Sequence, residues 1–452
     1  MPNSFIQVPP DSTGKKLFAK SATVDGSTVH AQVFNLGSGD NPLNVQTVDN
    51  RGQAAVRFAE GSPSMDAFGN LRVSSSRVLG SYEYTNDDMS DLFTDTVSGG
   101  SITRDPVARN MVLSVNSQNG SSVSRTSNRY HYYQPGVGNH VIITLAHGDV
   151  GKANNVREWG YADESDGLLF RLTGTTLQTV LRSSVSGSVV EEVIDQSNWN
   201  GDKLDGTGTS GMTIDVTKAN FYWIDFAWLG VGTVRFGVLA PDGSRWVCNT
   251  FTNPNSRISA YMASGSLPIH VHNYNTGTTA GTSEIKLICS AIYAESQTDY
   301  TYWRSAIDSS DLRTVTTRTP ILSLKPTAQY DGAVNRVGIY PECISVFVSG
   351  GPVKMEIIDD ATLVGANWSI YNNRVIGDNS ATTISSGDVF HTYYLNAGSH
   401  NLQVDQIYET NDEGYHVTAN GVDVYTMTLA FTKLNVSDTV SVTATINYRE
   451  LR

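Results

Sequence analysis

The chain has 452 residues, a formal net charge of −13 and only 17% charged residues. An acidic chain without a Lys/Arg run repels phosphate, which argues against nucleic acid as a partner. No run approaches the 18 or so apolar residues of a membrane span. Met1-Pro-Asn-Ser-Phe-Ile-Gln-Val-Pro-Pro lacks the charged-then-apolar pattern of a secretory leader. Forty glycines and 9% aromatics suit a folded, turn-rich β protein better than a disordered one. Three widely spaced cysteines, Cys248, Cys289 and Cys343, are no disulfide framework and fit a reducing cytoplasm.

Residues 1–75 are polar and irregular, with strand-like pieces at Val29–Phe34 and Ala54–Phe58. Neither carries a core of its own. The region is expected to be an extended N-terminal arm that orders against the rest of the chain or a neighbour. From 76 to 300 strand signals are dense: Met111-Val-Leu-Ser-Val, Val141-Ile-Ile-Thr-Leu, Leu168-Leu-Phe-Arg-Leu and Leu177-Gln-Thr-Val-Leu-Arg. In Tyr222–Trp228 the residues Tyr222, Ile224, Phe226 and Trp228 share one face by period two, and Trp223, Asp225 and Ala227 load the other. A strand heavy on both faces belongs in the middle of a covered sheet. Thr173-Gly174 and Asp242-Gly243 fall where hairpin turns are required. This pattern predicts a jelly-roll or lectin-like β-sandwich over 76–300. Residues 301–320 break the pattern and read as a linker with a short helix at most. Residues 321–452 resume it, in Ile344-Ser-Val-Phe-Val, Tyr425-Thr-Met-Thr-Leu-Ala-Phe and Val440-Ser-Val-Thr-Ala-Thr-Ile, and predict a smaller C-terminal β-sandwich. The fold class is all-β.

Candidate chemistry is sparse. His270 and His272 stand at i and i+2 on one strand face, a metal-ligand spacing that needs a third ligand the sequence does not point to. Asp163, Glu164 and Asp166 form an acidic turn without a calcium-loop pattern. Gly206, Gly208 and Gly211, in the loop opened by Asp202 and Asp205, do not make a phosphate loop. No nucleophile elbow occurs, and no pair among 44 Asp and Glu residues is singled out as a glycosidase pair. No enzyme, cofactor, catalytic residue or metal site is therefore expected. Tyr130, Tyr132 and Tyr133 around His131, and Tyr300, Tyr302 and Trp303, are aromatic sets suited to stacking on sugars, to an interface or to ordinary packing.

Several segments carry a resemblance: Trp199-Asn-Gly-Asp-Lys-Leu-Asp-Gly-Thr-Gly, Tyr222-Trp-Ile-Asp-Phe-Ala-Trp-Leu-Gly, Asp66-Ala-Phe-Gly-Asn-Leu-Arg-Val-Ser, Arg129-Tyr-His-Tyr-Tyr-Gln-Pro-Gly and Arg182-Ser-Ser-Val-Ser-Gly-Ser, with Leu363-Val-Gly-Ala-Asn-Trp more loosely. As a set, they resemble a widespread group of tailed-bacteriophage virion structural proteins. The resemblance implies a non-enzymatic β-rich subunit at the tail, baseplate or fibre attachment. It also implies virion location after assembly in the host cytoplasm, homo-oligomerisation, and other virion proteins as partners. A capsid decoration protein or head fibre, and a protein that binds or cleaves host-surface glycan, are the alternatives. The resemblance brings no catalytic residue with it.

Overall fold

The computed structural model describes residue 72, residues 75–296, 302–404 and 414–451, and the backbone of three strands between residues 3 and 32. Residues 1–62 form a unit of their own. Its three strands, Asn3–Gln7, Lys16–Val24 and Ser27–Gln32, make an antiparallel meander. The expected strand at 29–34 is therefore present, shifted by two residues, but it is the third strand of a sheet rather than part of an extended arm. Lys16–Val24 mixes lysine, serine and threonine with its apolar residues, which hid it from a search for apolar runs. The piece at 54–58 lies outside the described residues.

Among the described residues of 63–452 the architecture is all-β, a large sandwich followed by a smaller one, as the sequence predicts. The first sandwich packs a seven-stranded sheet on an eight-stranded one. The seven-stranded sheet runs, in spatial order, Val190–Asp195, Thr176–Ser183, Gly167–Thr173, Asn155–Ala162, Ile269–Asn275, Ser122–Ser127 and Phe93–Ser98. The eight-stranded sheet runs Arg245–Phe251, Val234–Leu239, Asn220–Phe226, Asn139–Ala146, Ser283–Ala294, Asn110–Val115 and Gly100–Asp105, with Arg77–Glu83 added beside Ser283–Ala294.

Asn220–Phe226 is central, paired on both sides. Tyr222, Ile224 and Phe226 enter the core between the sheets. Trp223 and Asp225 turn outward yet are as buried as the core face. Trp223 lies against Gly237, where any Cβ would collide with the indole. Gly174 and Gly243 take positive φ, +58° and +83°, in the expected hairpin turns. The core is not wholly apolar. Asn273 reaches across from the seven-stranded sheet and donates to the carbonyls of Leu113 and Ser283, at 3.1 and 2.9 Å. These bonds tie the two layers and fix their relative position.

The second sandwich packs a five-stranded sheet on a six-stranded one around a separate core. Residues 302–315 depart from expectation. Instead of a linker or helix, Tyr302–Asp308 and Arg313–Val315 are strands that pair along Val440–Leu451. Their Ser/Asp content suits an edge, and their partner lies more than a hundred residues away. The sandwich therefore begins at 302 and uses the last strand as its organiser.

The sandwiches meet along a polar seam. Tyr425 Oη donates to the Asp91 carbonyl at 2.7 Å, and Asn128 Nδ2 donates to Tyr425 Oη at 2.9 Å. Tyr132 Oη donates to the Arg336 carbonyl at 2.7 Å. The Arg336 guanidinium lies 3.8 Å over the Tyr130 ring and donates to its hydroxyl at 3.0 Å. Among the described residues no helix is long and apolar enough to cross a membrane.

Candidate functional site

Alternation along the seven-stranded sheet sends Trp159, Tyr161, Ile269 and Val271 into the core. The residues between them, Glu158, Gly160, His270, His272 and Tyr274, face outward. The outer face is organised in rows set by register. Glu158 stands opposite Arg171 on one side and His272 on the other, and His272 stands opposite Ser124. In the next row Gly160 is flanked by Leu169 and His270. A Cβ on Gly160 would strike the Leu168 carbonyl, so glycine lets these strands approach closely. Leu169, Val180 and Ala162 form a small buried apolar patch beside it.

Glu158 is almost fully buried, and its charge is compensated. Arg171 Nε donates to Oε1 at 2.6 Å and Arg182 Nη2 to Oε2 at 3.1 Å. Both arginines also donate to Glu191, at 2.7 and 2.9 Å. Burying a carboxylate is tolerated only with such pairing. The two carboxylates share their guanidinium donors instead of standing across an open gap, the arrangement a glycosidase needs.

His272 stacks on Tyr274 with ring centres 4.5 Å apart. One nitrogen of each histidine meets a hydroxyl: His272 Nε2 with Ser122 Oγ and His270 Nδ1 with Thr126 Oγ1, both at 2.8 Å. Burial pushes both imidazoles below their usual range, His270 strongly, and the neighbouring Arg182 acts in the same direction.

At one end of this face, the second sandwich overhangs the sheet. Thr94, Thr96, Ser124, Thr126 and His270 line a cleft of about 320 Å³ whose opposite wall is Arg336, Ala419 and Asn420. Arg336 shapes that wall by donating to the Thr418 and Ala419 carbonyls, each at 2.9 Å. The floor is hydroxyls and an imidazole, the wall an amide, a guanidinium and backbone. The volume lies at the low end of small-ligand pockets, about 300–1,000 Å³.

The other sequence candidates serve structure. Asp163 Oδ1 accepts from the Ser165 and Asp166 amides, and its Oδ2 accepts from Tyr130 Oη. Asp166 accepts from the Ala263 amide and from Ser184. The acidic turn is thus a hairpin held by its own carboxylates. Asp202 accepts from the Leu204 and Ser210 amides and closes the glycine loop on itself, while Asp205 accepts from Thr207. Glu164 lines the cleft rim. His131 is buried between Tyr82 Oη and the Leu267 carbonyl. Tyr133 packs on Phe226 and Trp228, and Tyr130 and Tyr132 belong to the seam. Tyr302 lies under the Arg449 guanidinium. Trp303 is exposed, and Tyr300 lies outside the described residues.

A second buried cluster, His140, Asp225 and Glu295, also gathers metal-type ligands. Arginine already fills it. Arg72 reaches Asp225 and Glu295 at 2.5 Å each and His140 Nδ1 at 3.3 Å, and Arg235 pairs with Asp225 as well.

No family model matches the chain, and no curated protein matches it. Among solved structures, it is similar to a legume lectin-like domain from Entamoeba histolytica, at 8% identity and TM-score 0.31, covering 49% of this chain and 99% of that one. It is similar to a lectin from Bauhinia forficata in complex with GalNAc, at 11% identity and TM-score 0.30, covering 50% and 100%. It is also similar to a β-1,3-glucanase from Mycobacterium marinum, at 10% identity and TM-score 0.32, covering 48% and 100%.

Proposed function

We propose that the chain is a non-enzymatic glycan-binding protein and that the glycan lies in the cleft between Thr126 and Asn420. The observation that carries this reading is the lining itself. Thr94, Thr96, Ser124 and Thr126 offer a row of hydroxyls along the floor, and Arg336 and Asn420 face them from the second sandwich. A polyol presents hydroxyls that both donate and accept, and hydroxyl, amide and guanidinium groups can pair with them. A phosphate polymer would meet the acidic turn at Asp163 and Glu164 and the net negative charge. A greasy ligand would find no deep apolar wall. Binding at an open, polar cleft is weak per site, and repetition in an assembly would supply avidity.

The test is binding of the purified chain to an array of bacterial surface polysaccharides, repeated with Thr126→Val and Asn420→Ala. The reading predicts saturable binding that both variants weaken about tenfold, one lost hydrogen bond to ligand being worth about 1 kcal/mol or more. An array with no positive glycan, or binding indifferent to both changes, refutes it.

A second reading is a structural subunit of a tailed-phage particle, assembled in the host cytoplasm. It is supported by the phage-like segments, in which Arg72, Tyr130, Tyr132 and Arg182 all hold structural contacts. The two readings are compatible, because a particle-surface subunit is where host glycan would be met. Immunogold labelling of intact particles with an antibody to this chain tests the second; absence of label on any particle component overturns it.

A further inference from the structure

We propose that Glu158, His270 and His272 form a binding site for one divalent transition-metal ion of the zinc class. The sequence shows two histidines at i and i+2 and no partner. The fold supplies one, because Glu158 on Asn155–Ala162 is the register partner of His272 on Ile269–Asn275. One ligand atom from each of the three lies within 4.8 Å of the other two. No hydrogen bond joins them among the described residues, so three acceptor-type groups converge without satisfying one another.

Two further observations point the same way. First, each imidazole is held at one nitrogen by a hydroxyl, Thr126 for His270 and Ser122 for His272. With the hydroxyl accepting an N–H, the ring is fixed in orientation and its other nitrogen keeps a lone pair, the outer support that metal-bound histidine characteristically has. Second, Glu158 Oε2 accepts a guanidinium N–H from Arg182 Nη2 at 3.1 Å and retains a lone pair. Arg171 and Arg182 are balanced by Glu158 and Glu191, so the surroundings carry no net positive charge against a dication. Two histidines and one carboxylate with the remaining positions left to water is a donor set zinc accepts.

The site stands whether or not the cleft binds glycan, although His270 lines both. The experiment therefore contains no sugar. The full chain, stripped with chelator, is titrated calorimetrically with Zn²⁺, and Co²⁺ is added in parallel to read d–d absorption. One equivalent of Zn²⁺ should bind and a visible Co²⁺ spectrum should appear. His272→Ala, at a part-exposed position, should abolish both while leaving thermal unfolding cooperative. Ser122→Ala should weaken Zn²⁺ about 10- to 100-fold, the range for a lost outer-shell partner. No saturable Zn²⁺ uptake, or uptake unchanged in His272→Ala, overturns the proposal.

Discussion

Arg72→Ala should be among the most destabilising single changes in the chain, although Arg72 lies in the polar and irregular stretch of residues 1–75. Its guanidinium bridges Asp225 and Glu295, and those side chains are 0% and 8% exposed. Removing one partner of a buried ion pair costs about 3–5 kcal/mol, because the remaining charge stays out of water. Arg235 still pairs with Asp225, so the expected loss sits at the low end, about 3 kcal/mol. For a unit of this size each kcal/mol moves the melting temperature by roughly 2–4 °C, giving a drop of about 6–12 °C. The assay is urea unfolding of wild type and Arg72→Ala followed by tryptophan fluorescence, with Arg304→Ala as control. Arg304 is largely exposed beside Glu342, and such a surface pair is worth little. A loss below about 1 kcal/mol for Arg72→Ala, or equal losses in both variants, would refute the reasoning.

Other expectations follow from the same structure. Phe226→Ala removes a fully buried ring packed against Tyr161, and should cost about 3–5 kcal/mol in the same unfolding assay. A fragment of residues 302–452 should unfold cooperatively, whereas one starting at 317 should not, since it lacks the two strands that pair along one side of Val440–Leu451; calorimetry separates the two. Asp359 is pushed up to about 6 by burial, with Asp360 and Asp388 adding to the effect. An acid raised in the folded state binds its proton more tightly there than when unfolded. Its contribution is therefore present at low pH and lost as pH rises from about 4 to about 6. Asp359→Asn should accordingly stabilise at pH 7, and the gain should vanish near pH 4, as read from urea midpoints at both values.

What the sequence made legible was local. Period-two alternation located Tyr222–Phe226, its double burial and its central place, and Thr173-Gly174 and Asp242-Gly243 marked their turns. What it hid was set by pairing between distant segments. Glu158 is one acidic residue among 44 until register sets it beside His272. Tyr302–Asp308 lacks the apolar alternation of a strand because it lies at an edge. Arg72 has no local signal, since its worth comes from charges at 225 and 295. The cleft likewise needs Thr126 and Asn420, nearly three hundred residues apart, and depends on how the second sandwich meets the first. Of the aromatic cluster at 130–133, suited to sugars, an interface or packing, Tyr132 and Tyr133 hold the seam and core, and Tyr130 both joins the seam and lines the cleft.

The most direct test of glycan binding at the seam is a hydrogen-exchange footprint of the full chain with and without a polysaccharide selected on the array. The account predicts added protection at residues 94–96, 124–126, 334–336 and 418–420, on both sandwiches at once. Protection confined to one sandwich, or placed away from these residues, would contradict it.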